Sequence, residues 1–292
     1  MSDLIYSIDG NGQKLDGGAM FGNAPQALWS RWYKPDSLNR VSLACRCLLI
    51  VSDDIPVLFE TGIGAFFHPD LATRYGVQDP QRHLLLENLE KAGFKEEDIR
   101  YVVLSHLHFD HAGGLLPTWD EMQKGKNHLR FPNAKYVTSQ DAWNRALNPH
   151  PRDRASFIPE LQKALIESGR LTLISGDLPS EELPSKLSFH YSHGHTPGQM
   201  HSLFSGEREK VFFCGDLIPG TPWLNTPITM GYDRFPELII DEKQKLSDIA
   251  LKENWLLFYT HDPEFAASRC QINAKGKFEA SEPLRNLNAW KL

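Results

Sequence analysis

No run of this 292-residue chain stays apolar for the ~20 residues that a membrane-spanning helix requires. It also lacks a basic excess. Its 31 Lys and Arg stand against 37 Asp and Glu, a formal net charge of −6, which argues against nucleic acid as the main partner. The opening residues Met1-Ser2-Asp3-Leu4-Ile5-Tyr6 have neither the basic start nor the apolar core of a secretory signal, so a cytoplasmic location is expected. There are only four cysteines: Cys45, Cys47, Cys214 and Cys270. No Cys-x-x-Cys pair occurs, which excludes a zinc knuckle, and the scatter suits small buried apolar residues in a reducing compartment. Internal repeats and low-complexity tracts are absent as well. What remains is an ordinary globular composition, 41% hydrophobic and 23% charged, at a length that suits one large α/β domain. The short stretch Pro149 to Arg154 is the most linker-like, so residues 1–292 are expected to form a single domain.

Strand-like apolar runs recur along the chain, at Leu43 to Val51, Pro56 to Phe59, Arg100 to Leu104 and Lys135 to Val137. Four more follow at Leu171 to Ile174, Leu187 to Tyr191, Val211 to Cys214 and Leu256 to Tyr259. Helix-like stretches fall between them. Gln81 to Ala92 is expected to start at Asp79-Pro80 and stop at Gly93. Others are Ser139 to Leu147, Phe157 to Glu167 and Glu242 to Glu253. The tail from Ala266 reads as a short hairpin, Cys270-Gln271-Ile272 against Lys277-Phe278-Glu279. Many short strands with irregularly placed helices suggest two sheets covered outside by helices.

The densest chemistry lies in His106-Leu107-His108-Phe109-Asp110-His111, four metal-capable side chains in six residues between an apolar run and the turn residues Gly113-Gly114. In an extended chain His106, His108 and Asp110 would share one face, and the chain would turn at His111. Three further segments offer ligands where a strand-like run ends: His190 to Gly198, Val211 to Asp216, and Leu256 to Pro263. Rigid strand ends fix such groups while loops supply the chemistry.

Together, His106-x-His108-x-Asp110-His111, Gly194-His195-Thr196-Pro197-Gly198, Gly215-Asp216 and Thr260-His261 resemble the ordered motifs of the metallo-β-lactamase superfamily, from about residue 40 to residue 263. The resemblance implies an α/β fold, an αββα sandwich of two mixed sheets flanked by helices, with a dinuclear metal centre at one edge. By motif position His106, His108 and His195 would hold the first cation. Asp110, His111 and His261 would hold the second, with Asp216 bridging. Two divalent ions are implied, zinc first, with manganese or iron suited to the same ligands. Glu60 stands where the family usually carries an aspartate that supports the ligands, and His193, two residues before His195, is a further supporting candidate. His201 is expected near the site or in a strand, and His190 at the surface. His68, His83, His128 and His150 carry no partner pattern and read as surface residues.

Within the superfamily the pattern is similar to quorum-quenching lactonases and methyl-parathion-hydrolase-like enzymes. Asp110-His111 departs from the cysteine-bearing β-lactamases, and His108 from the flavodiiron proteins. The tail lacks the basic cluster of glyoxalase II, and the charge lacks the basic face of RNA-processing nucleases. The implied reaction is attack by a metal-bridging hydroxide on a lactone of the acyl-homoserine type or on an ester, with Asp110 as the catalytic proton shuttle. A phosphotriester or phosphodiester is the alternative substrate, and an iron oxygenase or electron carrier the competing class. A small-molecule substrate is expected, with a homodimer possible. Residues 1–40 are expected at the pocket mouth, with Met20, Phe21, Trp29 and, further on, Trp223 as lining. Some lactonases place a tyrosine three residues after the bridging aspartate; here that position is Pro219, leaving Tyr232 or Tyr259 to serve instead.

Overall fold

The computed structural model describes residues 3–176 and 183–292. The expected N-terminal segment is therefore seen from Asp3 onward. The strands, in chain order, are β1 (Leu4–Asp9), β2 (Gln13–Asp16), β3 (Arg40–Leu43), β4 (Arg46–Ser52), β5 (Ile55–Phe59) and β6 (Tyr101–Val103). There follow β7 (Lys135–Ser139), β8 (Leu171–Ile174), β9 (Leu187–Ser192), β10 (Gln199–Ser205) and β11 (Lys210–Phe213). The last are β12 (Leu256–Phe258), β13 (Ala267–Ile272), β14 (Phe278–Leu284) and β15 (Trp290–Lys291). They make a seven-stranded sheet ordered β15-β1-β4-β5-β6-β7-β8, a six-stranded sheet ordered β14-β13-β12-β11-β10-β9, and a small β2-β3 pair. Both large sheets are mixed: β5 to β8 run parallel, as do β11 and β12, and the remaining neighbours are antiparallel.

Alternation along the strands explains the layering. Val57, Phe59, Val103 and Val137 of the first sheet meet Phe189, Met200, Phe213 and Phe258 of the second in one buried cluster, with the Phe59 and Phe213 rings 6.1 Å apart. The opposite faces bury helices. Leu49, Leu58 and Val102 pack with Leu85 and Leu89 of helix Leu84–Lys91, Trp143 of Gln140–Leu147 and Leu165 of Pro159–Glu167. Phe212 and Leu257 pack with Ile239, Leu246 and Ala250 of Pro236–Glu253. Each such fully buried side chain contributes roughly 1.5–3 kcal/mol. The result is the αββα sandwich. Among the described residues no helix is long and apolar enough to cross a membrane, and all four cysteines are free and buried.

Several boundaries differ from the expectation. The run Leu43 to Val51 breaks at Ala44-Cys45 into β3 and β4, because Ala44 leaves the ladder to hydrogen-bond His261. The helix expected from Gln81 begins at Leu84, since Asp79 takes a positive φ of 48° and turns the chain first. The last long helix starts at Pro236, six residues before Glu242. The expected tail hairpin is present as β13-β14.

Candidate metal centre

Ligand-type residues sit where strands stop. Past β6, the Leu104 N–H still bonds the first sheet at Val137 O, and the Ser105 N–H then donates to Glu60 Oε1 at 2.9 Å. His108, at φ −67° and ψ 154°, precedes a single helical turn, Phe109–Ala112. The chain therefore turns two residues earlier than an extended reading requires, and Asp110 reaches the site from the turn rather than by strand alternation. Gly114 lets that turn sit on the loop after β5: a Cβ there would lie 2.0 Å from Thr61 O. Past β9, His195 sits in a turn pinned from the first sheet. Ser139 Oγ donates to Gly198 O at 2.5 Å and accepts from Ala142 N, capping its own helix. Past β11 comes Asp216, and past β12 comes His261.

These side chains converge from both sheets. His106 Nε2 lies 3.0 Å, and His195 Nε2 3.3 Å, from His108 Nδ1, and the three ligand atoms fit within 4.8 Å of one another. Asp110, His111 and His261 form a second group of the same size, with His111 Nε2 3.2 Å from His261 Nε2. Asp216 joins them. Its Oδ1 is 3.2 Å from Nε2 of both His111 and His261, and its Oδ2 is 3.2 Å from His195 Nε2.

The outward nitrogens of His106, His195 and His261 are held from behind, which fixes ring orientation and tautomer. His106 Nδ1 meets Ser105 Oγ at 2.9 Å, and His261 Nδ1 donates to Ala44 O at 2.7 Å. His195 Nδ1 meets Asp233 Oδ1 at 3.0 Å, while Met230 N–H anchors Asp233 Oδ2. Glu60, fully buried and with a positive φ of 66°, sets Oε2 3.0 Å from His111 Nδ1. Asp110 Oδ2 accepts from Gln13 Nε2 of β2 at 2.6 Å. His193 differs: it is exposed, and its Nδ1 accepts from Gly198 N, so it braces the turn and touches no ligand ring. His201 is buried in β10 against Ser192 Oγ. His83 corrects the surface expectation, being only 6% exposed with Nε2 on Gly114 O.

The donor set fits divalent cations. At the facing imidazole nitrogens only one of each pair can carry a proton, and Asp216 Oδ1 is buried without a hydrogen-bond partner. Burial, then the neighbouring His111 and His108, pushes His106 well below its ordinary pKa, leaving it the neutral ligand form. Burial opposes the charge on Asp216, yet His111, His261 and His195 hold its carboxyl well below the usual range. The same carboxylate pulls His111 and His261 upward against burial. The cluster demands positive charge, which protons or cations can provide.

Over this floor lies a cavity of about 370 Å³ lined by Asp110, His108, His195, Asp216 and His261, with Leu15, Met20, Leu43, Phe109, Met230 and Tyr232 as its organic walls. Met20 is where the sequence reading placed it. Phe21, Trp29 and Trp223 are not: they stack on one another, Phe21 on Trp223 at 4.5 Å and on Trp29 at 5.5 Å, each at most 1% exposed. Rings of this size bury more area against each other on the outer face of the second sheet than a cavity wall allows. Tyr232 lines the cavity, whereas Tyr259 is buried on Ser268 Oγ. The segment read as linker-like supplies a wall through Arg152 and Asp153. Gln13 and Asp233 escaped the sequence reading, since neither belongs to a motif.

Several known proteins are similar to this chain in sequence or fold. An N-acyl homoserine lactonase of Bacillus thuringiensis is 23% identical over 246 residues, covering 80% of this chain and 86% of that protein. The structure of a probable metal-dependent hydrolase from Staphylococcus aureus superposes with a TM-score of 0.86 at 26% identity, covering 100% of this chain and 99% of the other. AidC, a dizinc quorum-quenching lactonase, shares the fold at a TM-score of 0.75 and 23% identity, over 95% and 93% of the two chains. Residues 41–261, which span every ligand-type residue of the two clusters, match the metallo-beta-lactamase superfamily, and the chain belongs to that family.

Proposed function

We propose that the protein hydrolyses the carbonyl ester bond of a small lactone or ester, acyl-homoserine lactones first, at a centre of two divalent cations. His106, His108 and His195 would hold one cation and Asp110, His111 and His261 the other, with Asp216 within reach of both. The observation that carries this reading is the pair of converging donor groups joined by one carboxylate on the floor of a cavity with apolar walls. Two ions bound there, zinc in our assignment, would supply Lewis acidity toward a carbonyl oxygen and lower the pKa of a bound water.

The chain's own groups do the rest. Gln13 fixes Asp110 through Oδ2, so that the carboxylate can take a proton from the attacking water and return it to the leaving alkoxide. Leu15, Met20, Leu43 and Met230 present an apolar wall for an acyl chain. Tyr232, rather than the residue at Pro219, offers a hydroxyl at the rim.

The test is a panel of acyl-homoserine lactones, aryl esters and phosphotriesters assayed after reconstitution with zinc, manganese or iron. Lactone or ester turnover is expected. Asp110→Asn should lose on the order of 10²-fold or more in kcat while keeping its circular dichroism. Full activity in that variant sinks the assignment, and turnover of phosphotriesters alone replaces the substrate class.

A further inference from the structure

The geometry points to a cationic end of the substrate cavity, built by Arg152 with Arg145 and Arg234 behind it, that selects substrates carrying an anionic group away from the scissile bond. The inference rests on the hydrolytic reading above and names the class of substrate that site prefers. Arg152 and Asp153 line the same cavity as the metal cluster. The Arg152 side chain is exposed, and its Nη2 donates at 2.9 Å to Gly231 O, itself a lining residue, which leaves further guanidinium donors for a ligand. Asp153 does not neutralise it. Both Nε and Nη2 of Arg145 converge on Asp153 Oδ2, at 3.0 and 2.7 Å.

Arg234 adds a third cation with even less compensation. Its side chain is 10% exposed, its Nε is 3.8 Å from the already occupied Asp153 Oδ2, and its Nε and Nη1 have no hydrogen-bond partner. A largely buried guanidinium with donors unpaired is a cation short of counter-charge. Arg145 and Arg234 therefore share one carboxylate, and the Arg152 guanidinium beside them donates to Gly231 O rather than to a carboxylate, in a chain whose overall charge is negative. The cluster is also anchored to the reaction centre. Arg234 N–H donates to His195 O, and His108 pairs with Phe157 just beyond the Arg152 loop. A carboxylate or phosphate on the substrate would supply the missing charge while its carbonyl lies over the metal cluster.

The test compares phenyl hexanoate with the monophenyl ester of adipic acid, matched in chain length and differing in the terminal carboxylate. The metal-loaded wild type should favour the anionic ester in kcat/KM on the order of ten-fold, through KM, and added salt should shrink the preference. Arg152→Gln and Arg234→Met should bring the ratio close to one, and Arg152→Lys should restore part of it. Because a ratio is read, partial loss of folded protein does not mimic the result. A wild-type ratio near one, or an unchanged ratio in Arg152→Gln, overturns the inference while leaving the hydrolase reading intact. If neither ester is turned over, the hydrolase reading fails, and calorimetric titration with adipate and hexanoate still decides. Tighter adipate binding that is lost in Arg152→Gln upholds the cationic site, and equal binding removes it.

Discussion

Asp233 shows how much of a metal site lies outside its ligands. Its Oδ1 fixes the outward nitrogen of His195, and its Oδ2 is held by the Met230 N–H, so ring, carboxylate and cavity wall are one rigid unit. Asp233→Ala should weaken binding of the first cation about 10–100-fold, read by competition with a chromophoric chelator. An unchanged affinity would show that His195 needs no such support. The ligand-type residues were legible because they cluster within short motifs and end apolar runs. Asp233 was not, standing 38 residues from its partner in an unremarkable stretch. Gln13 is 97 residues from Asp110. Contacts of that separation leave no periodic trace in a single chain. The stacked Phe21, Trp29 and Trp223 were misplaced for a related reason, since aromatic composition gives burial but not the side of the sheet on which it occurs.

Helix Leu84–Lys91 is tied to the turn Gly113–Leu115 by His83, whose neutral Nε2–H donates to Gly114 O while Nδ1 is buried without a partner. A second proton would have no acceptor, and burial lowers the His83 pKa from 6.5 to about 4. The unfolded chain binds that proton at higher pH than the folded one. The contribution is therefore complete above pH 6.5 and is lost progressively as pH falls toward 4, by about 3 kcal/mol in all. Denaturant titrations between pH 7 and 4 should show a shallower loss of stability in His83→Gln than in the wild type, and parallel curves would refute it. Elements with an apolar run of their own were readable in advance, as was a helix opening at Ser139 and running to Leu147. The four-residue turn Phe109–Ala112 was not, because one helical turn carries no hydrophobic period and its sequence alternates well enough to pass for a strand.

The two sheets contribute unequally to the centre. The first supplies His106, His108, Asp110 and His111, and the second supplies His195, Asp216 and His261. Cations held between them would act as a clasp across the sandwich, in addition to the apolar layer around Phe59 and Phe213. Ions present at 100 times their dissociation constant would stabilise the fold by about 2.7 kcal/mol for each site. Stripping the metal should lower Tm by roughly 5 °C or more, with recovery on adding zinc back, and an unchanged Tm would mean that the centre carries no folding energy. At this scale the αββα layering was readable chiefly through the resemblance of the whole motif set. Apolar runs suggested two covered sheets, but strand order depends on pairings such as β1 with β15, which join the two ends of the chain.

The clasp also has a consequence in time. On a ribosome, residues 106–111 emerge long before His195, and His261 follows 150 residues after His111. The early motif can offer an ion only a fragment of either donor group, so tight capture of the proposed metals would wait until nearly the whole sandwich has been synthesised. Metal loading would thus mark the end of this protein's birth rather than guide its beginning.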